Sequence, residues 1–200
     1  MTHSARTSAL APTLIGTALL TVVLGVVGCS PAPAADPAPK VAPTAASTTA
    51  APVQDAGKPI RVEIPAIEVD ESLKPVGLNP DGSMHIPGFG DAGWYKRGPR
   101  PGAAGPAVLV AHVHGPGGPD VFWRLKELEP GDRVTVHRTD GTSTFVVDGS
   151  EQVAKEELPY DRIWPETDDS VLRLITCGGV FDKKKIGGYP DNTIVYAHLV

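Results

Sequence analysis

Residues 172–179 read Leu-Arg-Leu-Ile-Thr-Cys-Gly-Gly, an apolar stretch that ends in a cysteine and two glycines. The pattern predicts a buried strand through Thr176, followed by a turn. A cysteine at this point is positioned by the strand and presented by the turn, which suits a nucleophile. The alternative is a small buried hydrophobic side chain, since free cysteines are often buried. We favour the nucleophile.

The only other cysteine is Cys29, at the end of an N-terminal apolar segment. If Cys29 is lipidated or removed, Cys177 has no partner for an intramolecular disulfide. An unpaired cysteine in an exported protein indicates either an intermolecular bond or a functional thiol. The scarcity of cysteine therefore also favours a functional role for Cys177.

Residues 1–29 have the pattern of an export segment, with a weakly basic start and an apolar stretch over residues 9–28. Its ending, Val-Val-Gly-Cys, resembles a bacterial lipobox, which predicts lipidation of Cys29 after cleavage. An uncleaved signal anchor is a second possibility, because about 20 apolar residues can span a bilayer. Simple secretion is a third. All three place the rest of the chain on the extracytoplasmic side, and the first two tether it to the cell membrane.

Residues 30–57 contain six prolines and ten alanines, with few large apolar side chains. Such a segment buries too little surface to offset its ordering entropy, so it is predicted to be a disordered spacer. The folded domain is then 58–200, which carries the net charge of −5. The acidic balance, without a basic stripe, argues against nucleic-acid binding.

The domain is predicted to be all-β, because 22 glycines and 21 prolines in 200 residues argue against a helical bundle. One helix of about two turns is predicted over Val121–Glu129, before Pro130-Gly131. Seven or eight short strands and this helix are consistent with a closed barrel or a sandwich, and the pattern does not choose between them. The clearest predicted strands are Ile60–Ile64, Ala107–Ala111, the hairpin of Asp132–Arg138 with Thr144–Val147, Val171–Thr176 and Thr193–Leu199.

A thiol nucleophile needs a neighbouring base or cation, and His112 is the best candidate among six histidines. It follows the most hydrophobic predicted strand, so its ring could face a cysteine at the end of a neighbouring strand. His112 and His114 on one strand would share a face and could begin a zinc site. Asp120 is the only nearby third ligand, so we expect no metal, and thiol chemistry requires no organic cofactor.

Longer motifs around these residues resemble the sortases, most closely the actinobacterial class F type. They are Ala107-Val-Leu-Val-Ala-His112, Leu172–Gly179 with Phe181-Asp182, and Tyr189-x-Asp-Asn192, and the match extends over 58–200. The resemblance implies a closed eight-stranded β-barrel with one or two short helices. It also implies a cysteine transpeptidase in which Cys177 attacks an LPxTG-like sorting signal and His112 is the acid/base.

The resemblance implies two partners, a sorting-signal peptide on a secreted protein and an amine acceptor. The acceptor would be a cell-wall precursor or a lysine of another protein, such as a pilin. We expect a monomer that contacts the membrane through its N-terminus.

One position departs from the family pattern. Sortases usually have an arginine thirteen residues after the cysteine as the oxyanion donor, and here Pro190 occupies that position. Lys183, Lys184 and Lys185 could supply a cation, although a solvated loop is the simpler interpretation. Arg173 would lie on the same strand face as Cys177, but four residues, or about 13 Å, away from it. Two alternatives therefore stay open, a catalytically impaired peptide-binding or cell-wall-binding module and a thiol hydrolase.

Overall fold

The structure, a computed structural model, describes residues 55–183 and 188–200. The predicted export segment, most of the predicted spacer, Lys184 and Lys185 lie outside the described residues. Two residues assigned to the spacer contact the domain: the Ala56 carbonyl accepts a hydrogen bond from Arg100, and the Gly57 N–H donates one to Asp140. In the described part of the chain, we find no helix with the length and apolar character needed to cross a membrane.

The domain consists almost entirely of strands. These are β1 (Pro59–Ile64), β2 (Val69–Val76), β3 (Ala92–Tyr95), β4 (Gly105–Ala111), β5 (His114–Gly115), β6 (Gly118–Pro119), β7 (Arg133–Arg138), β8 (Gly141–Ala154), β9 (Ser170–Gly178) and β10 (Asp191–Leu199). The helical elements are one α-helical turn, α1 (Tyr160–Ile163), and 3₁₀ turns at Pro65–Ile67, Leu125–Glu127 and Lys155–Glu157.

Eight of the strands close into a barrel in the order β1-β2-β3-β4-β9-β10-β8-β7. The pairs β2–β3 and β4–β9 are parallel, and the other neighbours are antiparallel. Strands β5 and β6 form a separate two-stranded ribbon between β4 and β7. The predicted all-β class and closed eight-stranded barrel are therefore confirmed, and the sandwich is excluded.

The alternation of side chains on β9 decides what the barrel interior contains and what its outer surface presents. Leu172 and Leu174 belong to the core inside the barrel. Ile175, on the opposite face, packs against a second cluster that includes Val108 and Val110 of β4. Because side chains on a strand alternate with period two, Cys177 shares the outer face with Ile175.

The helix predicted over Val121–Glu129 is wrong: this segment forms turns followed by a single 3₁₀ turn at Leu125–Glu127. Its buried apolar residues are Phe122, Leu125 and Leu128, spaced three apart. Residues at i and i+3 lie above one another in a 3₁₀ geometry, so this spacing aligns all three toward the core.

Two strands of the barrel were not predicted as strands. β2 contains Pro75, which argues against a strand in a sequence pattern. It pairs in parallel with β3, which has only four residues. The strand predicted to end at Val147 continues as β8 to Ala154, because a bulge near Gly149 keeps it paired with β10.

Candidate active site

Cys177 is the second-last residue of β9 and a free, half-buried thiol. Directly opposite it on β10 is Asn192. Two cavities meet at Cys177, one of about 180 Å³ and one of about 90 Å³. A group at this position can therefore react with a molecule that enters from either cavity.

The strand of Cys177 is joined to the strand of His112 by a side-chain hydrogen bond. The buried Thr176 hydroxyl donates to the Ala111 carbonyl at 2.7 Å. The regular β4–β9 pairing ends at Val110 and Ile175, so this bond prolongs the connection to the two residues that precede His112 and Cys177. It holds the strands together at the point where both candidate catalytic side chains emerge.

The imidazole of His112 is oriented by a loop that precedes β3. Its Nε2 lies 2.9 Å from the Pro87 carbonyl oxygen, and its ring lies 4.5 Å from the ring of Phe89. A carbonyl only accepts hydrogen bonds, so Nε2 must carry the proton of the neutral ring. This leaves Nδ1 as the atom of His112 that can take up or release a proton.

The loop over His112 is held by a carboxylate. Asp120 accepts hydrogen bonds from the backbone N–H groups of Gly90 and Val121, at 3.0 Å and 2.7 Å. Gly90 follows Phe89 directly, so Asp120 positions the aromatic ring beside His112. Asp120, considered from sequence as a metal ligand, is committed to the backbone here.

The larger cavity is apolar, and His112, Cys177 and Asn192 are among its lining residues. The remaining walls are mostly apolar side chains from β4, β9, α1 with its flanking residues, and the segment between β2 and β3: Met84, Ile86, Val110, Leu158, Ile163, Trp164 and Ile175. The thiol and the imidazole are therefore among the few polar groups of an otherwise apolar cavity.

The smaller cavity has a polar and aromatic lining, in which His114 is central. His114 Nδ1 is 2.5 Å from the Tyr189 hydroxyl, and its ring packs edge-on against Trp123 at 4.5 Å. Lys126 and Gln152 also line this cavity beside Cys177. From the sequence, His114 was considered only as a metal ligand and the other four were not assigned to the site, although Tyr189 lies in one of the motifs that carry the resemblance.

His112 and His114 do not lie on one strand face as predicted. Strand β4 ends at Ala111, and His114 begins β5, so the two rings line different cavities. Within 55–183 and 188–200, no three His, Cys, Asp or Glu side chains are grouped to hold a metal ion.

Arg173 lies away from the cysteine. Its guanidinium donates to the carbonyls of Arg162 and Leu172 and packs over the ring of Tyr196 at 4.8 Å. Burial lowers the pKa of this guanidinium. Arg173 lines a different cavity from those of Cys177, so the structure does not bring it to the thiol.

The other cation candidates and Pro190 lie in or beside the loop between β9 and β10. Lys183 is exposed, and Lys184 and Lys185 lie outside the described residues. Pro190 precedes β10, and its carbonyl accepts a hydrogen bond from the Lys155 N–H. Its ring lies so close to Gly179 that a Cβ there would approach it to 2.9 Å, and Gly179 also has a positive φ of 83°. This turn therefore requires glycine.

The family model for the sortase domain matches residues 62–200, more than half of the chain. The chain belongs to the sortase family. A search of curated protein sequences gives no match.

Solved sortases share the fold of this sortase domain. Sortase C1 from Streptococcus suis has a TM-score of 0.56 and 20% sequence identity, covering 72% of this chain and 73% of that chain. Sortase C-1 from Streptococcus pneumoniae has a TM-score of 0.53 and 23% identity, covering 70% and 66%. A lid mutant of sortase A from Corynebacterium diphtheriae has a TM-score of 0.55 and 17% identity, covering 73% and 72%.

Proposed function

We propose that this sortase is a cysteine transpeptidase that cleaves an LPxTG-like sorting signal and transfers it to an amine. The observation that carries the proposal is the apolar cavity into which Cys177 and His112 both open. An extended peptide bound there places its scissile carbonyl at the only thiol of the described residues. Membership of the sortase family supports the same reaction.

In the first half-reaction, the Cys177 thiol gives its proton to Nδ1 of His112, and the thiolate attacks the threonyl carbonyl carbon to form a tetrahedral oxyanion. The C–N bond then breaks, and the departing amine takes a proton from His112. The product is a thioester on Cys177. Because Nε2 of His112 is held by the Pro87 carbonyl, Nδ1 is the atom that delivers this proton.

In the second half-reaction, an incoming amine attacks the thioester carbonyl, and His112 takes up the proton that the amine loses. The C–S bond breaks and the thiolate of Cys177 is regenerated. The smaller cavity also includes Cys177 in its lining and offers a route for the acceptor. The acceptor would be a cell-wall precursor amine or a lysine of another protein.

The sortase class and the mode of membrane attachment are proposed from the sequence. The motifs support class F, and residues 1–29 support attachment to the extracytoplasmic face of the cell membrane, through a lipidated Cys29 or a signal anchor. Residues 30–57 would then act as a spacer. We expect the enzyme to act as a monomer on sorting signals of secreted proteins.

The test is intact mass spectrometry of the full chain in mild detergent, incubated with LPxTG-type peptides with and without an added amine. We expect a thioacyl adduct that Cys177→Ala abolishes and that the amine discharges faster than water does. Discharge by water alone, at a rate that the amine does not change, would indicate a hydrolase.

Pro190 favours a second candidate, a sortase-like module that binds a peptide or wall component without catalysis. Proline has neither a charge nor a backbone N–H to offer an oxyanion. This candidate predicts saturable peptide binding without an adduct, while the thiol still reacts with iodoacetamide. Titration of a labelled LPxTG-type peptide by fluorescence anisotropy measures that binding.

A further inference from the structure

Acyl transfer to Cys177 puts negative charge on the carbonyl oxygen, and a donor near that oxygen is needed to stabilise it. Most donors close to the cysteine are already engaged. The Gly179 N–H donates to Gln152 at 3.1 Å, and the Thr176 hydroxyl donates to the Ala111 carbonyl. The Gln152 amide donates in turn to Asp191 at 2.8 Å.

The two histidines near the site are hydrogen-bonded, and Lys126 lies in the smaller cavity and not in the apolar one. Nε2 of His112 is bonded to the Pro87 carbonyl, which leaves Nδ1 for proton transfer. His114 is bonded to Tyr189 and faces the smaller cavity. Lys126 lines that same smaller cavity, where its ammonium lies 5.7 Å from the ring centroid of Trp123.

Two polar side chains on β10 beside Cys177 have no hydrogen-bond partner among the described residues, those of Thr193 and Asn192. Thr193 lines the smaller cavity, whereas Asn192 lines the apolar cavity into which the proposed peptide binds. Asn192 is the direct cross-strand neighbour of Cys177 in the antiparallel β9–β10 pair. The side chains of such a pair point to the same face, with Cβ atoms about 4.5–5.5 Å apart. Asn192 also lines the apolar cavity together with Cys177 and His112. Its amide has no hydrogen-bond partner among the described residues, so both of its N–H donors are available.

Position 190 is farther from the thiol than Asn192 is. It lies two residues before Asn192 and outside β10, whose pairing with β9 begins at Asp191 opposite Gly178. A short side chain at 192 can therefore reach the region that only a long side chain could reach from 190. Trp164 also offers an N–H to the apolar cavity, but it packs against the cluster of Val76, Val108 and Val110 and is not a register neighbour of the cysteine.

We propose that Asn192 is a catalytic residue of this enzyme, whose side-chain amide donates a hydrogen bond to the carbonyl oxygen as it becomes an oxyanion on attack by Cys177. The inference deepens the proposed function, since it names the group that stabilises charge in the same site. It accounts for a reactive centre beside Pro190 without a cation.

The experiment compares two reactions of the Cys177 thiol that differ in the need for an oxyanion donor. p-Nitrophenyl acetate acetylates the thiol through a tetrahedral oxyanion: the S–C bond forms, the ester C–O bond breaks, and p-nitrophenolate leaves. Iodoacetamide alkylates the same thiol by displacement of iodide, with no oxyanion. Both are measured at Cys177 of the full chain by peptide mapping, so Cys29 does not interfere.

We expect Asn192→Ala to slow acetylation by at least about tenfold while leaving alkylation unchanged. Thioacyl formation from an LPxTG-type peptide should fall further, by about 100- to 1,000-fold, because its leaving group is poorer. Asn192→Asp is nearly isosteric and has no amide donor, so it should behave like Asn192→Ala in acetylation. Thr193→Val, the adjacent residue on the inner face, is the matched control and should acetylate at the wild-type rate.

A rescue experiment distinguishes a hydrogen-bond donor at position 192 from a residue with only a structural role. Pro190→Arg in the Asn192→Ala background should recover acetylation, and its effect in the wild-type background should be smaller. Equal losses of acetylation and alkylation would overturn the proposal, because Asn192 would then act on the thiol itself. Unchanged acetylation in Asn192→Ala would overturn it as well. Acetylation does not depend on a sorting signal, so a wild-type chain that is acetylated but forms no peptide adduct refutes the proposed function alone.

Discussion

The hydrogen bond from Thr176 to the Ala111 carbonyl predicts a specific loss of stability and rate when Thr176 is replaced by valine. Valine has nearly the shape of threonine, so the replacement opens no cavity in this buried position, where Thr176 is 5% exposed. It removes the hydroxyl donor at 2.7 Å and leaves the buried Ala111 carbonyl without that partner.

The magnitude follows from the cost of an unpaired buried group. Leaving such a group unsatisfied costs about 1–3 kcal/mol, and the apolar gain of the added methyl offsets part of that. We therefore expect Thr176→Val to lower the free energy of unfolding by about 1–2 kcal/mol. The bond also sets the separation of Cys177 and His112, so we expect thioacyl formation to slow by about tenfold or more.

The assay is urea unfolding of the full chain, followed by tryptophan fluorescence, alongside the thioacyl rate from intact mass spectrometry. Thr193→Val is the matched control, since Thr193 is opposite Thr176 in the β9–β10 pair and is also 5% exposed. Its hydroxyl has no hydrogen-bond partner in the described part of the chain, so its loss should change stability by less than about 0.5 kcal/mol.

Thr176→Ser keeps the hydroxyl and should retain most of the rate. The reasoning is refuted if Thr176→Val and Thr193→Val unfold at the same urea concentration and form the adduct equally fast. A loss of stability with an unchanged rate would refute only the part that concerns the positions of Cys177 and His112.

Three further predictions concern residues around the site. Arg173→Met should destabilise the fold by about 2–3 kcal/mol, because it removes two charged hydrogen bonds to the carbonyls of Arg162 and Leu172. The thioacyl rate of the folded enzyme should not change, and a slower rate at temperatures well below unfolding would contradict this. Asp120→Ala should slow thioacyl formation by roughly 10- to 100-fold with little change in iodoacetamide reactivity, because the loop that contacts His112 loses its hydrogen bonds to the Asp120 carboxylate. An unaltered rate would show that these hydrogen bonds are not needed to position His112. Hydrogen bonds from Gly57 and Arg138 lower the pKa of Asp140 below its ordinary 3.8, so the contribution of Asp140 to stability is present above pH 3.8 and is lost as the pH falls through the lower folded value. The melting temperature of Asp140→Asn should therefore vary less with pH over that range than that of the wild type. Parallel curves for the two proteins would argue against this.

Local sequence patterns correctly predicted several strands of the barrel. The alternating and apolar stretches around Ile60–Ile64, Ala107–Ala111 and Thr193–Leu199 are strands in the structure. Such features depend on side-chain period and turn residues, which are written in a few adjacent positions. The choice of a closed barrel came instead from the resemblance of longer motifs.

Other elements were missed because their stability is not local. β2 contains a proline and is a strand only because it lies between β1 and β3. The apolar residues of Val121–Glu129 suggested an α-helix, but packing on the core favours a 3₁₀ turn there. In both cases tertiary contacts outweigh the local preference of the residues.

Residue type and position along the chain sufficed to propose the candidate nucleophile and its histidine, and the family resemblance sufficed to identify the departure at Pro190. Only the tertiary structure decided that Arg173 lies in a different cavity from those of Cys177, that His112 and His114 face separate cavities, and that Asn192 lies directly opposite the thiol. The physical reason is strand register. Pairing between β9 and β10 is set by packing across the whole barrel, so the partner of Cys177 cannot be read from the residues beside it in the chain.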